Sequence, residues 1–123
     1  MNISPHITLD NLIYHPTAVR LSIPNVPPDE VVPSLIRLCL EVLEPINTLL
    51  DGKMAFLSVY RSERLQAAMV RQGRKSLHTQ GLGADFQTPG MDLSDAFDKI
   101  VASDIPFDTL FLPPTGLEAT GSA

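Results

Sequence analysis

The stretch Asp51-Gly-Lys-Met-Ala-Phe-Leu-Ser-Val-Tyr-Arg-Ser62 decides how the chain is read. Asp51-Gly52 is a turn signal, and Lys53–Tyr60 is short and mixes apolar, aromatic and β-branched residues, which predicts a strand. Ser62 then carries a side chain suited to capping a helix, and Leu65, Ala68 and Met69 follow at helical spacing. Working upstream, Val31, Leu35, Leu38, Cys39, Val42, Ile46, Leu49 and Leu50 recur at helical spacing and predict one long helix over Asp29–Leu50. Pro28 and Pro33 suit its first turns, whereas Pro45 should kink it or end its regular part. Before it lie a proline-rich connector, Ile23–Pro28, and one or two helical turns over Thr8–Ile13 with Thr8 as the cap.

Downstream of Ser62, the polar run Arg71–Ser76 reads as a loop and Ala84–Gln87 as a second strand. Pro89-Gly90 makes a turn, Leu93, Phe97, Ile100 and Val101 mark a further helix ending near Ser103, and Phe107–Leu112 reads as a third strand. The fold class is therefore α+β: a small, mainly antiparallel sheet packed on the long helix and flanked by two shorter helices. The order of elements is not the regular alternation of a doubly wound parallel sheet. Residues 113–123 have the composition of a loop and are expected to form an unstructured tail after a single domain over residues 1–112.

Composition narrows the function classes. The 123 residues amount to one domain, and 44% hydrophobic with 19% charged residues is the balance of an ordinary globular chain. No apolar run approaches the roughly 18–20 residues of a membrane helix, so no membrane partner is expected. The N-terminus Met1–Asp10 has neither the basic nor the apolar region of a signal peptide, which predicts a cytoplasmic location at synthesis. Cys39, the one cysteine, excludes a disulfide scaffold and lies on the apolar stripe of the long helix, where it reads as a small buried hydrophobe. The net charge of −5 is uneven: Lys53, Arg61, Arg64, Arg71, Arg74 and Lys75 share the 53–75 segment with a single acid, Glu63. Such a segment can attract an anionic polymer, although it reads first as a solvated face. The scarcity of interleaved aromatics disfavours nucleic acid.

The chemistry concentrates in two blocks. One is Ser58-Val-Tyr60-Arg61-Ser62, and the other is Ser76-Leu-His78-Thr-Gln-Gly81-Leu-Gly-Ala-Asp85, with the histidine in a loop and the aspartate at the start of a strand. His6 and His15 each adjoin a proline and read as solvated or capping residues.

In this order and spacing the two blocks resemble the zinc D-alanyl-D-alanine carboxypeptidase family, including its phage and bacterial peptidoglycan peptidases. The likeness extends through Ser4-Pro-His6 to Leu12, Val42-Leu-Glu-Pro45 and Gly90 to Phe107, and covers residues 1 to about 112. It implies that His78 and Asp85 ligate zinc and that Arg61 is the catalytic residue holding the substrate carbonyl or carboxylate. Ser58, Tyr60 and Ser76 would line the substrate, a peptidoglycan peptide. Gly81 would allow a tight turn between the two ligands. A phage-encoded member would act at the cell wall or in the virion.

The chain also departs from that pattern. Val59, Gln66 and Gly83 stand where the family usually has glycine, asparagine and alanine. No histidine or tryptophan follows His78, so the third ligand and the general base of the family motif are missing. Glu118 is the only carboxylate of the tail that would replace them. Zinc held by one imidazole and one carboxylate is expected to be weak or substoichiometric. Two readings stand: a peptidase with an incomplete site, or a non-catalytic interaction protein on the same scaffold. The second would bind a protein partner or a further copy of itself, and a second chain completing the site belongs to the same set of expectations.

Overall fold

The computed structural model describes residues 2–69, 77–112 and 117–121. The chain opens with a short hairpin, β1 (Asn2–Ser4) and β2 (Ile7–Thr8), followed by α1 (Leu9–Ile13) and α2 (Pro16–Arg20). Thr8 caps α1 in a reciprocal box. Its hydroxyl accepts from Asn11 N–H at 3.1 Å, and the Asn11 carboxamide accepts from Thr8 N–H at 2.8 Å. His15 caps α2, whose first residue is Pro16, a position that needs no N–H.

The long helix over 29–50 is realised in three joined pieces: α3 (Val32–Leu38), a π-helical turn (Cys39–Leu43) and α4 (Glu44–Leu49). The irregularity sits immediately before Pro45. Proline has no N–H to return to the carbonyl four residues back, so the helix widens and Glu44 N–H reaches Cys39 O instead. Leu35, Cys39, Leu43, Ile46 and Leu50 all remain buried, because the inserted residue shifts the stripe without breaking it.

β3 (Ala55–Ser58) pairs antiparallel with β4 (Asp85–Gln87), close to the expected strands at 53–60 and 84–87. Between them in sequence lie α5 (Glu63–Met69) and a 3-10 turn (Leu77–Gln80), and after them α6 (Leu93–Val101). The single three-stranded sheet does not form. β5 (Thr109–Leu112) pairs antiparallel with β6 (Leu117–Thr120), so the described residues hold three separate two-stranded sheets. The reason is local: β6 follows β5 closely enough in sequence to take its edge. The expectation of a tail without structure over 113–123 is corrected at Leu117–Thr120; residues 113–116 lie outside the described set.

Burial divides into two clusters. Ile7, Leu12, Leu35, Cys39, Leu43, Val59 and Tyr60 form the first, and Ile46, Leu50, Ala96 and Ile100 the second. Met54 packs against both. The helical stretch from Val32 to Leu49 thus spans both clusters, and the sequence around Arg61 emerges from the first.

Candidate functional site

The site begins with a bulge. Ser58 pairs with Asp85, Phe56 with Phe86, and the register shifts between them, leaving Leu57 half-exposed. An extra residue on one strand breaks the alternation of faces. Ser58, Val59 and Tyr60 are therefore buried in succession, and Arg61 leaves the core opposite the start of β4.

Five polar side chains meet there. Arg61 Nε–H donates to Ser58 Oγ at 2.8 Å, Nη1 to Gln66 Oε1 at 3.0 Å and Nη2 to Asp85 Oδ2 at 3.3 Å. Its side chain is only 14% exposed, so the guanidinium is held in one plane, as bidentate recognition of a carboxylate or carbonyl requires. His78 lies on the 3-10 turn. Its Nδ1–H donates to the Val59 carbonyl at 2.7 Å, which leaves Nε2 as the nitrogen facing Asp85 Oδ2, 3.3 Å away. The turn is tied back by Arg61 N–H to His78 O at 3.3 Å.

Gly81 closes the turn with φ +72°, and a Cβ there would stand 3.1 Å from both Leu35 Cγ and Leu35 N. The expectation that this glycine permits the tight passage from His78 to Asp85 agrees with both its conformation and its packing.

Asp85 is held below the usual carboxylate range, first by its bond to His78 and then by the charges of His78 and Arg61, against the opposing effect of burial. His15 is buried and is pushed below the ordinary histidine value by desolvation and by the charges of Arg61 and His78. Its Nδ1 accepts from Thr17 N–H at 3.2 Å. The capping role read from sequence therefore holds for His15, but the residue is buried rather than solvated. His6 is exposed and pairs with Glu44 at 3.3 Å.

The predicted residues fall out as follows. Arg61, His78 and Asp85 converge, and Ser58 supports Arg61 from beneath. Tyr60 is 2% exposed and belongs to the first core cluster, so its ring would reach a substrate only if that packing opened. Ser76, Arg71, Arg74 and Lys75 lie outside the described residues. Glu118 faces Phe111 across the β5–β6 hairpin. Sequence reasoning missed Asn25, in the proline-rich connector, whose carboxamide bonds to the backbone on either side of Arg61.

A zinc ion tests the donor set. Two ligands about 2.0–2.1 Å from a tetrahedral zinc lie about 3.3–3.4 Å from each other. The separation of His78 Nε2 and Asp85 Oδ2 matches this, and a backbone carbonyl on Nδ1–H is the support that metal-binding imidazoles use. Among the described residues, however, no group of three histidine, cysteine or carboxylate side chains is gathered closely enough to hold a metal. The pair fits, and among the described residues no third ligand joins it. Comparison with protein-family models, with curated proteins and with solved structures returns no match.

Proposed function

We propose that this chain is a zinc D-alanyl-D-alanine carboxypeptidase-type domain for peptidoglycan peptides, carrying an incomplete metal site and weak or lost activity. The observation that supports it best is the convergence of His78, Asp85 and Arg61 on one point. The metal-facing nitrogen of the imidazole is selected by the Val59 carbonyl, and the guanidinium is locked beside the carboxylate. In this reading Arg61 holds the carbonyl or terminal carboxylate of the peptide, and His78 and Asp85 hold zinc. Bound there, the ion would supply Lewis-acid polarisation of a carbonyl. No general base is assigned, and no hydrolytic step is derived.

A second reading is favoured by the same Asp85 Oδ2. It accepts from Arg61 and faces His78 at equal distance, a satisfied ion cluster without any metal. That arrangement suits a non-catalytic module that kept the scaffold and binds a protein partner or a wall peptide. A phage-encoded protein used in the virion or at the wall fits either reading.

The purified chain incubated with D-Ala-D-Ala peptides and with whole murein decides between them. Release of D-alanine or cleaved stem peptide, abolished by a chelator and restored by zinc, supports the peptidase. Binding to murein with neither turnover nor zinc uptake at any zinc concentration supports the module.

A further inference from the structure

The proline-rich connector Ile23–Pro28 does more than join two helices. Asn25 Nδ2 donates to Ile13 O at 2.6 Å and to Tyr60 O at 3.0 Å, and its Oδ1 accepts from Ser62 N–H at 2.7 Å. Because carbonyls only accept and a backbone N–H only donates, the carboxamide has one orientation that satisfies all three. The Tyr60 carbonyl belongs to the peptide plane before the Arg61 Cα, and the Ser62 N–H to the plane after it. One side chain therefore fixes both planes that set φ and ψ of Arg61, and with them the direction in which its Cα–Cβ bond leaves the backbone.

The strap that carries Asn25 is stiff. Pro24 and Pro27 have fixed φ, and Ile23, Val26 and Pro27 each precede a proline, which disfavours the helical region for them. Ile23 N–H is tied to Ala18 O at 2.9 Å, and Pro27 is buried. Little entropy remains to be lost when the carboxamide docks.

We infer that Asn25 is the positioning residue of Arg61: by clamping the Tyr60 carbonyl and the Ser62 N–H it aims the guanidinium at the point where Ser58, Gln66 and Asp85 receive it. The inference rests on Arg61 as the ligand-holding group of the proposed site, but it concerns the placement of that side chain and not turnover.

The test reads Arg61 directly. In the full chain, the Arg61 Nε–H donated to Ser58 Oγ should exchange slowly with solvent and give a resolved nuclear magnetic resonance signal. Asn25→Ala is expected to accelerate that exchange at least tenfold. Asn25→Asp keeps the volume and the bond accepted from Ser62 N–H but sets a carboxylate oxygen against the Ile13 and Tyr60 carbonyls in place of the two donated bonds; it is the second variant if the alanine one does not fold, and an acceleration of threefold or more is expected.

Ile100→Val in the second core cluster, compared at matched distance below its thermal midpoint, should leave the signal unchanged. Wild-type exchange in a folded Asn25→Asp variant, or equal acceleration in Ile100→Val, overturns the inference. Failure of a wild-type protein that shows the slow signal to take up zinc or to bind a wall peptide counts against the proposed function alone.

Discussion

Burying the imidazole that caps α2, within the electrostatic reach of Arg61 and His78, makes His15 a source of acid lability. Its folded-state pKa lies below the ordinary 6.5, so the unfolded chain takes up a proton in the window beneath that value while the folded chain does not. The stability it permits is present above about pH 6.5 and is lost as pH falls through the window. Asparagine caps a helix as well as any residue. His15→Asn should therefore match the wild type in thermal midpoint at pH 7.5 and exceed it at pH 5.5, and equal losses in both proteins would refute the assignment.

Asp85 acts lower on the scale. Its depressed pKa contributes stability above about pH 4, which disappears as pH falls through the folded value. The same carboxylate offers zinc one oxygen, and His78 one nitrogen. Two donors leave the remaining positions to water, so the purified protein should carry zinc well below one equivalent and release it on dialysis. Metal analysis before and after dialysis checks this, and tight stoichiometric zinc would require a further ligand. His78→Ala removes the partner of the Val59 carbonyl, and about 1 kcal/mol of lost stability is expected by denaturant titration.

At the scale of elements, the 3-10 turn that carries His78 depends on one backbone conformation. Gly81→Ala puts a Cβ in the left-handed region and 3.1 Å from the Leu35 backbone, so α3 or the turn must yield. A loss of roughly 2 kcal/mol or more is expected, with weakened zinc uptake because His78 moves with the turn. An alanine variant of wild-type stability would show that the turn is less constrained than its φ implies.

The same elements show what could be read in advance. Strands at 55–58 and 85–87 were visible because Phe56, Val59 and Phe86 stand between turn signals, and the long helix because its apolar stripe survives the π turn. The π turn itself was signalled only as trouble at Pro45. The hairpin at 2–8 is too short to show alternation, and Leu117-Glu-Ala-Thr120 alternates over just four residues in a segment of loop composition. Of the site, Arg61, His78 and Asp85 stood out only through the resemblance of their two blocks to the carboxypeptidase family; the interval from His78 to Asp85 by itself carries little signal. The support from Asn25 was not, because an asparagine between prolines carries the same signal as any turn.

For the molecule as a whole, the two core clusters assign different duties to the two ends of the chain. The site rests on the first cluster, through Val59 and Tyr60. The C-terminal hairpin rests on the second: Leu110 and Phe107 pack against Ile46, Leu50, Ala96 and Ile100, and Gly121 N–H donates to Asp108 O at 3.0 Å. Neither cluster contains a metal ligand of the proposed site, so removing zinc should leave the thermal midpoint unchanged.

Removing residues 113–123 should act differently. It deletes β6 and leaves the backbone of β5 as an open edge, beside a Phe111 that is already half-exposed. Amides of α6 and β5 should then lose protection against hydrogen exchange and the shortened chain should self-associate. The amide of Tyr60, bonded to Leu12 in the first cluster, and that of Arg61, bonded to His78 on the 3-10 turn, should keep their protection. Equal loss at Tyr60 and Arg61 would mean that the clusters unfold as one unit through Met54, and that the site owes its geometry to the C-terminal hairpin as well as to the core beneath it.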